Sequence, residues 1–456
     1  MQTRHAMIHC CRWLLLALVC WAQQAAAADE PQHPSTTVAA DPAAGAAELA
    51  APGQIDWSVD AASAGESQPM RITLAHEDAL RLDDADLVNH RSWFRLEYAR
   101  HFLDSFFAQL DTKLNAFWGN DHRARAEDRH LLLESHTQEA FLQYSPVGSD
   151  TSVRAGVQRL IWGESEGGAI TDEVSPRNLS ELFFIPLEES RIGQFMFNLD
   201  HFSDSGDWSL FFVPRPKFNK YPRPGTAYHV EAFERAVIRD ETGDSEYEYG
   251  MRWKKTFGKS DIALMAASLI DNDYVFRMDG ATGSGDPVFS RLAQRFTLAG
   301  VAFNYVNGKF LFKGEMAIKS SKAFNDSESR LVEKDVVDGA FGITYALGQS
   351  DTIGIEFVNS HVRGWDGQLA GVRRNSGSWI LNANFFFLND TLTVNWLTIY
   401  GRPFESHQSS LRTSYKWSDN TTLHVDAHLI DVPDANSPLW PYRKQDQVFF
   451  RIQYQF

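Results

Sequence analysis

The chain ends on VFFRIQYQF, residues 448–456. Read by twos, Val448, Phe450, Ile452, Tyr454 and Phe456 fall on one face, and Phe449, Arg451, Gln453 and Gln455 on the other. Successive side chains of a β-strand point to opposite sides, so this is a period-2 strand with one almost purely apolar face. The last residue of the chain is an aromatic in register with that face. A soluble domain can also close on such a strand, so the rest of the chain has to decide.

The opposite end begins MQTRHAMIHCCRWLLLALVCWAQQAAAADE. Arg4 and Arg12 make a basic start, an apolar run follows over 13–22, and small residues fill 25–28. This pattern reads as a secretory signal peptide over 1–28, cleaved after Ala28 or one residue earlier. The apolar run is too short to span a bilayer. All three cysteines, Cys10, Cys11 and Cys20, lie inside it, so the exported chain has neither a disulfide framework nor a thiolate metal site. Losing Arg4 and Arg12 takes the net charge from −16 to −18. That acidity argues against nucleic acid as a partner. Residues 29–66 are rich in Ala, Pro, Ser and acidic residues with no sustained period, and read as a flexible periplasmic leader.

Aromatics make up 13% of the chain, yet mean hydropathy is only −0.33, and no later apolar run reaches the length of a membrane helix. A membrane barrel reconciles these facts, because lipid-facing and lumen-facing residues alternate and cancel in any average. From about residue 90 one pattern repeats. Two alternating strands meet at a short turn, then a longer polar stretch leads to the next pair. The turns fall at 103–105, 147–150, 203–207, 257–259, 307–308, 348–350, 388–390 and 418–420. Asn307-Gly308 is a favoured hairpin dipeptide. Eight pairs and the closing strand make seventeen. If the short turns and the last strand end on the periplasmic side, one more strand must rise first, and 69–78 is the candidate. The expectation is an all-β transmembrane antiparallel barrel over 67–456 with 18 strands, or 16 if one weak pair stays outside the membrane.

The faces follow from charge. Tyr247, Tyr249, Met251 and Trp253 alternate with Glu248, Arg252 and Lys254. Phe310, Phe312, Met316 and Ile318 alternate with Lys313, Glu315 and Lys319. A basic side chain facing lipid at mid-depth costs about 2–4 kcal/mol, so the charged face is the lumen. Arg95, Lys113, Arg154, Arg412 and Arg451 are expected inside with Glu97, Asp111, Glu356 and Asp426. Cross-strand pairing explains such a mixture, and so does a field that orients a solute. Trp93, Tyr98, Trp208, Trp379, Trp396, Tyr400, Tyr415 and Trp417 suit interfacial girdles.

No hydrolase, zincin or P-loop motif appears, so no enzymatic role, cofactor or metal is expected. His424 and His428 sit too far apart along one strand for an easy shared ion.

The terminal aromatic resembles that of bacterial outer-membrane barrels, whose closing strand is read by the barrel-assembly machinery, which implies that partner for Phe456. Residues 153–184, VRAGVQRLIWGESEGGAITDEVSPRNLSELFF, add a finer likeness. Gly156, Gln158, Trp162, Gly163, Glu164, Asp172, Pro176 and Asn178 resemble the G-x-Q…W-G-E…P-x-N pattern of an uncharacterised proteobacterial outer-membrane barrel family. Its members are often encoded beside exporters or degradation pathways for hydrophobic compounds. Val157 and Ser175 depart from its usual Arg and Asn. The chain is more distantly similar to eighteen-stranded polysaccharide-export porins, though their lumen is strongly basic.

The resemblance implies a bacterial outer-membrane channel for a small or amphipathic solute, in contact with lipid and lipopolysaccharide. The alternative is a plugged structural barrel serving a periplasmic export partner, polysaccharide export included. The stretch 165–192 is too long for a surface turn and carries the apolar patch Leu182, Phe183, Phe184 and Ile185. It is expected either to cap the barrel or to fold inward and narrow the lumen. The residues expected to line or constrict the pore are Arg154, Gln158, Trp162, Glu164, Asp172, Asn178, Glu248, Arg252, Lys254 and Glu315.

Overall fold

The computed structural model describes residues 70–125, 129–163, 165, 170–185, 189–223, 225–229, 237–241, 246–273 and 275–456. The expected signal peptide and leader lie outside them. In chain order the strands are β1 (Met70–Arg81), β2 (Leu87–Phe102), β3 (Phe106–Trp118), β4 (Leu131–Tyr144), β5 (Thr151–Gln158), β6 (Gln194–His201), β7 (Asp207–Val213), β8 (Val237–Glu241), β9 (Glu248–Phe257), β10 (Ser260–Ile270), β11 (Val275–Ala281), β12 (Pro287–Leu292), β13 (Arg295–Asn307), β14 (Phe310–Asn325), β15 (Leu331–Ala346), β16 (Thr352–Val362), β17 (Asn375–Phe387), β18 (Leu392–Arg402), β19 (Ser406–Lys416), β20 (Thr421–Asp431) and β21 (Gln447–Gln455). All but β8, β11 and β12 join one eighteen-stranded antiparallel sheet. β1 pairs with β2 on one edge and with β21 on the other, which closes the ring. Among the described residues no helix is long and apolar enough to cross a membrane.

The count and the turns agree with the period-2 reading. Hydrogen bonding every strand to two neighbours leaves no open edge, which a wall in hydrocarbon requires. The Phe456 amide donates to the Ile72 carbonyl (2.9 Å), so the last residue is held by the first strand while its ring stays exposed. Deleting Phe456 is expected to lower the amount of heat-modifiable, folded protein recovered from outer membranes. Recovery equal to the native chain would remove any assembly role for this residue.

The outer wall is largely apolar. Phe450, Ile452, Tyr249, Met251, Met316, Ile318, Ile353 and Ile355 are all exposed. Such a continuous apolar surface belongs against lipid. The alternating positions turn inward, and their charges are largely paired. Arg95 clasps Asp111 with two bonds of 2.8 Å. Arg154 meets Asp200 at 2.9 Å, and Arg451 lies between Glu77 (3.2 Å) and Asp426 (3.3 Å). Trp93 departs from the girdle expectation. It shares the inward face with Arg95, is buried, and has the Lys113 ammonium 4.2 Å above its ring.

One register check follows. Cysteines replacing Arg252 or Lys254 should react with a membrane-impermeant thiol reagent, and cysteines at Tyr249 or Met251 should not while lipid covers them. The reverse pattern would mean a one-residue slip, which swaps the faces.

β11 and β12 form an antiparallel hairpin, and β8 adds to β12 in parallel. This small sheet comes from the long connections on either side of β9 and β10, which read in the sequence only as polar loops.

Candidate functional site

The chain leaves the wall after Gln158. Gly156 has a φ of 139°, and a Cβ there would meet the Ala140 carbonyl oxygen at 2.3 Å, so only glycine fits this bend. The connection 159–193 then turns inward. Its root is clasped by Ser175, whose Oγ accepts from the Leu160 amide (2.8 Å) and donates to the Leu160 carbonyl (3.0 Å). Gln158 donates to the Met196 carbonyl (3.0 Å), and Gln194 to the Val174 carbonyl (2.8 Å). Trp162 is buried edge-on against Phe211, 5.2 Å between ring centres, in an apolar cluster with Val174, Met196, Phe296 and Leu298. An apolar core thus sits inside the barrel rather than within its wall.

From this root the loop reaches one wall. Glu315 on β14 accepts from the Ser165 amide (2.6 Å) and from the Thr171 hydroxyl (3.1 Å). The Ser165 hydroxyl donates to Glu356 on β16 (2.6 Å). Lys319 on β14 bonds Glu173 (2.5 Å). Gly300 on β13 makes room, because a Cβ there would lie 2.6 Å from the Thr171 methyl.

The loop then returns to the opposite wall. Glu181 is buried and paired with Arg91 on β2 (2.5 Å) and with Arg123, and it accepts from Asn89 (3.2 Å). Glu189 meets Lys113 on β3 at 2.7 Å. Phe184 packs on Tyr228, Phe449 and His428, with ring centres 5.4–6.2 Å away. Asp172 pairs with Arg191 and ties the outgoing limb to the returning one. Counted around the ring, β14 is the eleventh strand and β2 the second, so they lie nine strands apart in either direction.

A second connection joins in. Lys220 bonds Glu134 (3.0 Å), Gln445 donates to the Ala227 carbonyl (2.8 Å), and the Tyr228 hydroxyl donates to Gln447 on β21 (2.9 Å). Between the two connections and β2–β4 lies a polar cavity of about 50 Å³ lined by Arg91, Lys113, Arg123, Glu134, His136 and Lys220 among others.

Of the ten residues singled out in the sequence, Gln158, Trp162, Asp172 and Glu315 meet at the root and outgoing limb. Asn178 accepts from Ser180 (2.8 Å) beside the cavity. Arg154 lies further down β5 with Asp200. Lys254 is 3.8 Å from Asp261, and Arg252 is half-buried on the same inward face. Glu248 is fully buried, accepting from the Ile270 amide (2.9 Å), so the water-accessible part of that face starts beyond it. Glu164 lies outside the described residues. Arg91, Lys113, Arg123, Glu181, Glu189 and Tyr228 carry the far anchorage and were not singled out as the site. The one signal for them was the apolar patch beside Glu181, which had to be buried somewhere.

The anchorage is titratable. Burial pushes the Glu189 carboxyl up, but Lys113, with Arg95 and Arg91, overrides this and holds it down at about 2. Burial likewise opposes ionisation of Glu181, and Arg123 and Arg91 hold it well below the ordinary carboxylate range. Depressed folded values mean that these contacts stabilise fully above the ordinary value near 4.5 and are lost as pH falls toward 2. Single-channel conductance should therefore stay level from pH 7 to 5 and change in the window below 4.5. A change centred near pH 6 would assign the response to groups other than these two carboxylates.

No protein-family model matches the chain, and no curated protein does so by sequence. Solved structures do match its fold. OccAB2 of Acinetobacter baumannii superposes with a TM-score of 0.50 at 11% identity, over 85% of this chain and 97% of that one. The outer membrane protein OpdK of Pseudomonas aeruginosa gives 0.50 at 10% identity, over 85% and 98%. The fold is that of an outer-membrane β-barrel. At these identities the likeness speaks for the fold alone, and the closed ring and apolar outer wall above account for it physically.

Proposed function

We propose that this barrel is an outer-membrane channel for a small or amphipathic solute, with a mixed-charge lumen narrowed by the 159–193 loop. The observation that carries this reading is the loop's anchorage to β14 and β2 on opposite walls. A cap would rest on the rim, whereas a loop pinned to inward-facing residues across the ring stands in the path of anything that crosses. In this reading Gln158 and Trp162 fix the root, Asp172 and Glu315 set the outgoing limb, and Asn178 faces the cavity. Arg154, Glu248, Arg252 and Lys254 belong to the wall below. Residues 1–28 direct export, and Phe456 engages the assembly machinery.

The test is conductance of purified protein in planar bilayers. Discrete, salt-dependent steps are expected. Their complete absence from folded, heat-modifiable protein would favour the plugged barrel serving an export partner.

A further inference from the structure

The outer wall carries a polar cluster on β1 and β2 beside apolar neighbours. On β1 the outward positions run Ile72, Leu74, His76, Asp78 and Leu80, alternating with the buried inward residues Thr73, Ala75, Glu77 and Ala79. The β1–β2 register sets His76 opposite Ser92 and Asp78 opposite His90. On the other edge the partners of His76 and Asp78 are Ile452 and Phe450, both exposed to the lipid side. Two imidazoles and a carboxylate thus stand half-buried on the face that elsewhere carries aliphatic and aromatic side chains. They sit in the half of β2 nearer the long connections. Ionisable groups facing lipid are costly, so a cluster of them calls for a function.

We infer that His76, Asp78 and His90 form a binding site for a divalent ion of the zinc class on the outer wall. One ring nitrogen of each histidine and one carboxylate oxygen all lie within 4.8 Å of one another. His90 Nδ1 is 2.6 Å from Asp78 Oδ1, and His76 Nε2 is 3.5 Å from Asp78 Oδ2. Tetrahedral zinc with bonds of about 2.0–2.1 Å holds its ligand atoms roughly 3.3 Å apart. The observed separations bracket that spacing, so side-chain rotation alone can assemble three ligands. Two imidazoles with one carboxylate suit zinc better than magnesium or calcium, which take oxygen.

The second observation is the support around the ligands. His76 Nδ1 lies 2.9 Å from Ser92 Oγ, which also accepts from the Trp118 indole (3.1 Å). With the proton on Nδ1 donated to Ser92, Nε2 presents its lone pair toward Asp78. That is the outer hydrogen bond by which ligating histidines are usually fixed in tautomer and orientation. The two imidazoles are also held edge to face, 5.2 Å between centres. The same Ser92–His76–Asp78 order could suggest hydrolysis. The β1 amides, bonded on both edges, supply no backbone oxyanion hole for that chemistry. Three ligands leave the fourth zinc position open to water or to a lipid-headgroup oxygen.

The experiment titrates the folded, purified chain in detergent with zinc, and separately with cobalt(II), whose tetrahedral complexes absorb strongly in the visible. One zinc per barrel is expected, with a tetrahedral cobalt spectrum and no displacement by excess magnesium. The His76→Ala/His90→Ala double variant should lose that site while keeping heat-modifiable migration. Ser92→Ala should weaken binding about 10–100-fold, the usual cost of losing an outer-shell partner. Equal zinc binding by the double variant, displacement by magnesium, or no zinc bound by the native barrel would each overturn the assignment. Conductance plays no part in the readout, so the outcome is independent of the channel proposal.

Discussion

Removing residues 172–184 is expected to raise single-channel conductance severalfold. The deletion takes away Glu173, which bonds Lys319 on β14, together with Glu181 and Phe184, which reach β2 and β21. It leaves every barrel strand whole. Barrel stability rests on the closed ladder of strand pairs, so folding measured by heat-modifiable migration should persist. Eighteen strands enclose a lumen wider than side chains alone can fill, so in the proposed reading the crossing loop sets its bore. Conductance equal to that of the native barrel would place the loop off the conduction path and remove the proposed constriction.

The second large effect is expected from Glu181→Ala. This carboxylate is buried between Arg91 and Arg123, and its loss leaves both guanidiniums short of a partner. Breaking a buried pair from one side costs about 3–5 kcal/mol, because the remaining charge stays desolvated. Arg91 retains Glu77 at 2.5 Å, so Arg123 is the more exposed to the loss. The far anchorage should loosen, with noisier current, and the reversal potential in a salt gradient should move toward anions. Adding Arg123→Met should return the selectivity toward the native value. A selectivity unmoved by Glu181→Ala would mean that this cluster lies away from the ions' route.

Much of the barrel was legible in the sequence because its two faces differ in chemistry. The inward series Arg252 and Lys254 and the outward series Tyr249 and Met251 fix parity without knowledge of any neighbour. Hairpin turns such as Asn307-Gly308 then give the count, and the direction of the closing strand supplies the eighteenth member, β1. Parity says nothing about depth or cover. Glu248 shares a face with Arg252 yet is fully buried. Trp93 was assigned by residue type to an interfacial belt, although its parity with Arg95 already turned it inward. The loop's anchors were illegible for a different reason. Ser165 and Glu356 are 191 residues apart in the chain, and nothing local marks them as partners. The outer-wall cluster needs the β1–β2 register, and a shift between Ala79 and Leu80 hides it from simple counting.

Geometrically the crossing loop is a chord. A hoop of strands bonded only to their neighbours flattens easily, since making it oval disturbs each hydrogen bond very little. A strut pinned at Glu315 and Glu181 fixes one diameter. It also divides the circle into two arcs of equal strand count. The second connection bonds into both arcs, through Lys220 to Glu134 on β4 beside the loop's root and through Tyr228 to Gln447 on β21. The other arc, without the root, includes β17 to β19. Its wall is half-buried amide and hydroxyl, with Asn384, Asn395, Gln408 and Ser410 beside Arg412. In the proposed channel, a solute on that side meets amides and hydroxyls along β17 to β19 beside Arg412, with charged groups flanking this stretch at Glu356 on β16 and at Asp426 and Arg451 on β20 and β21.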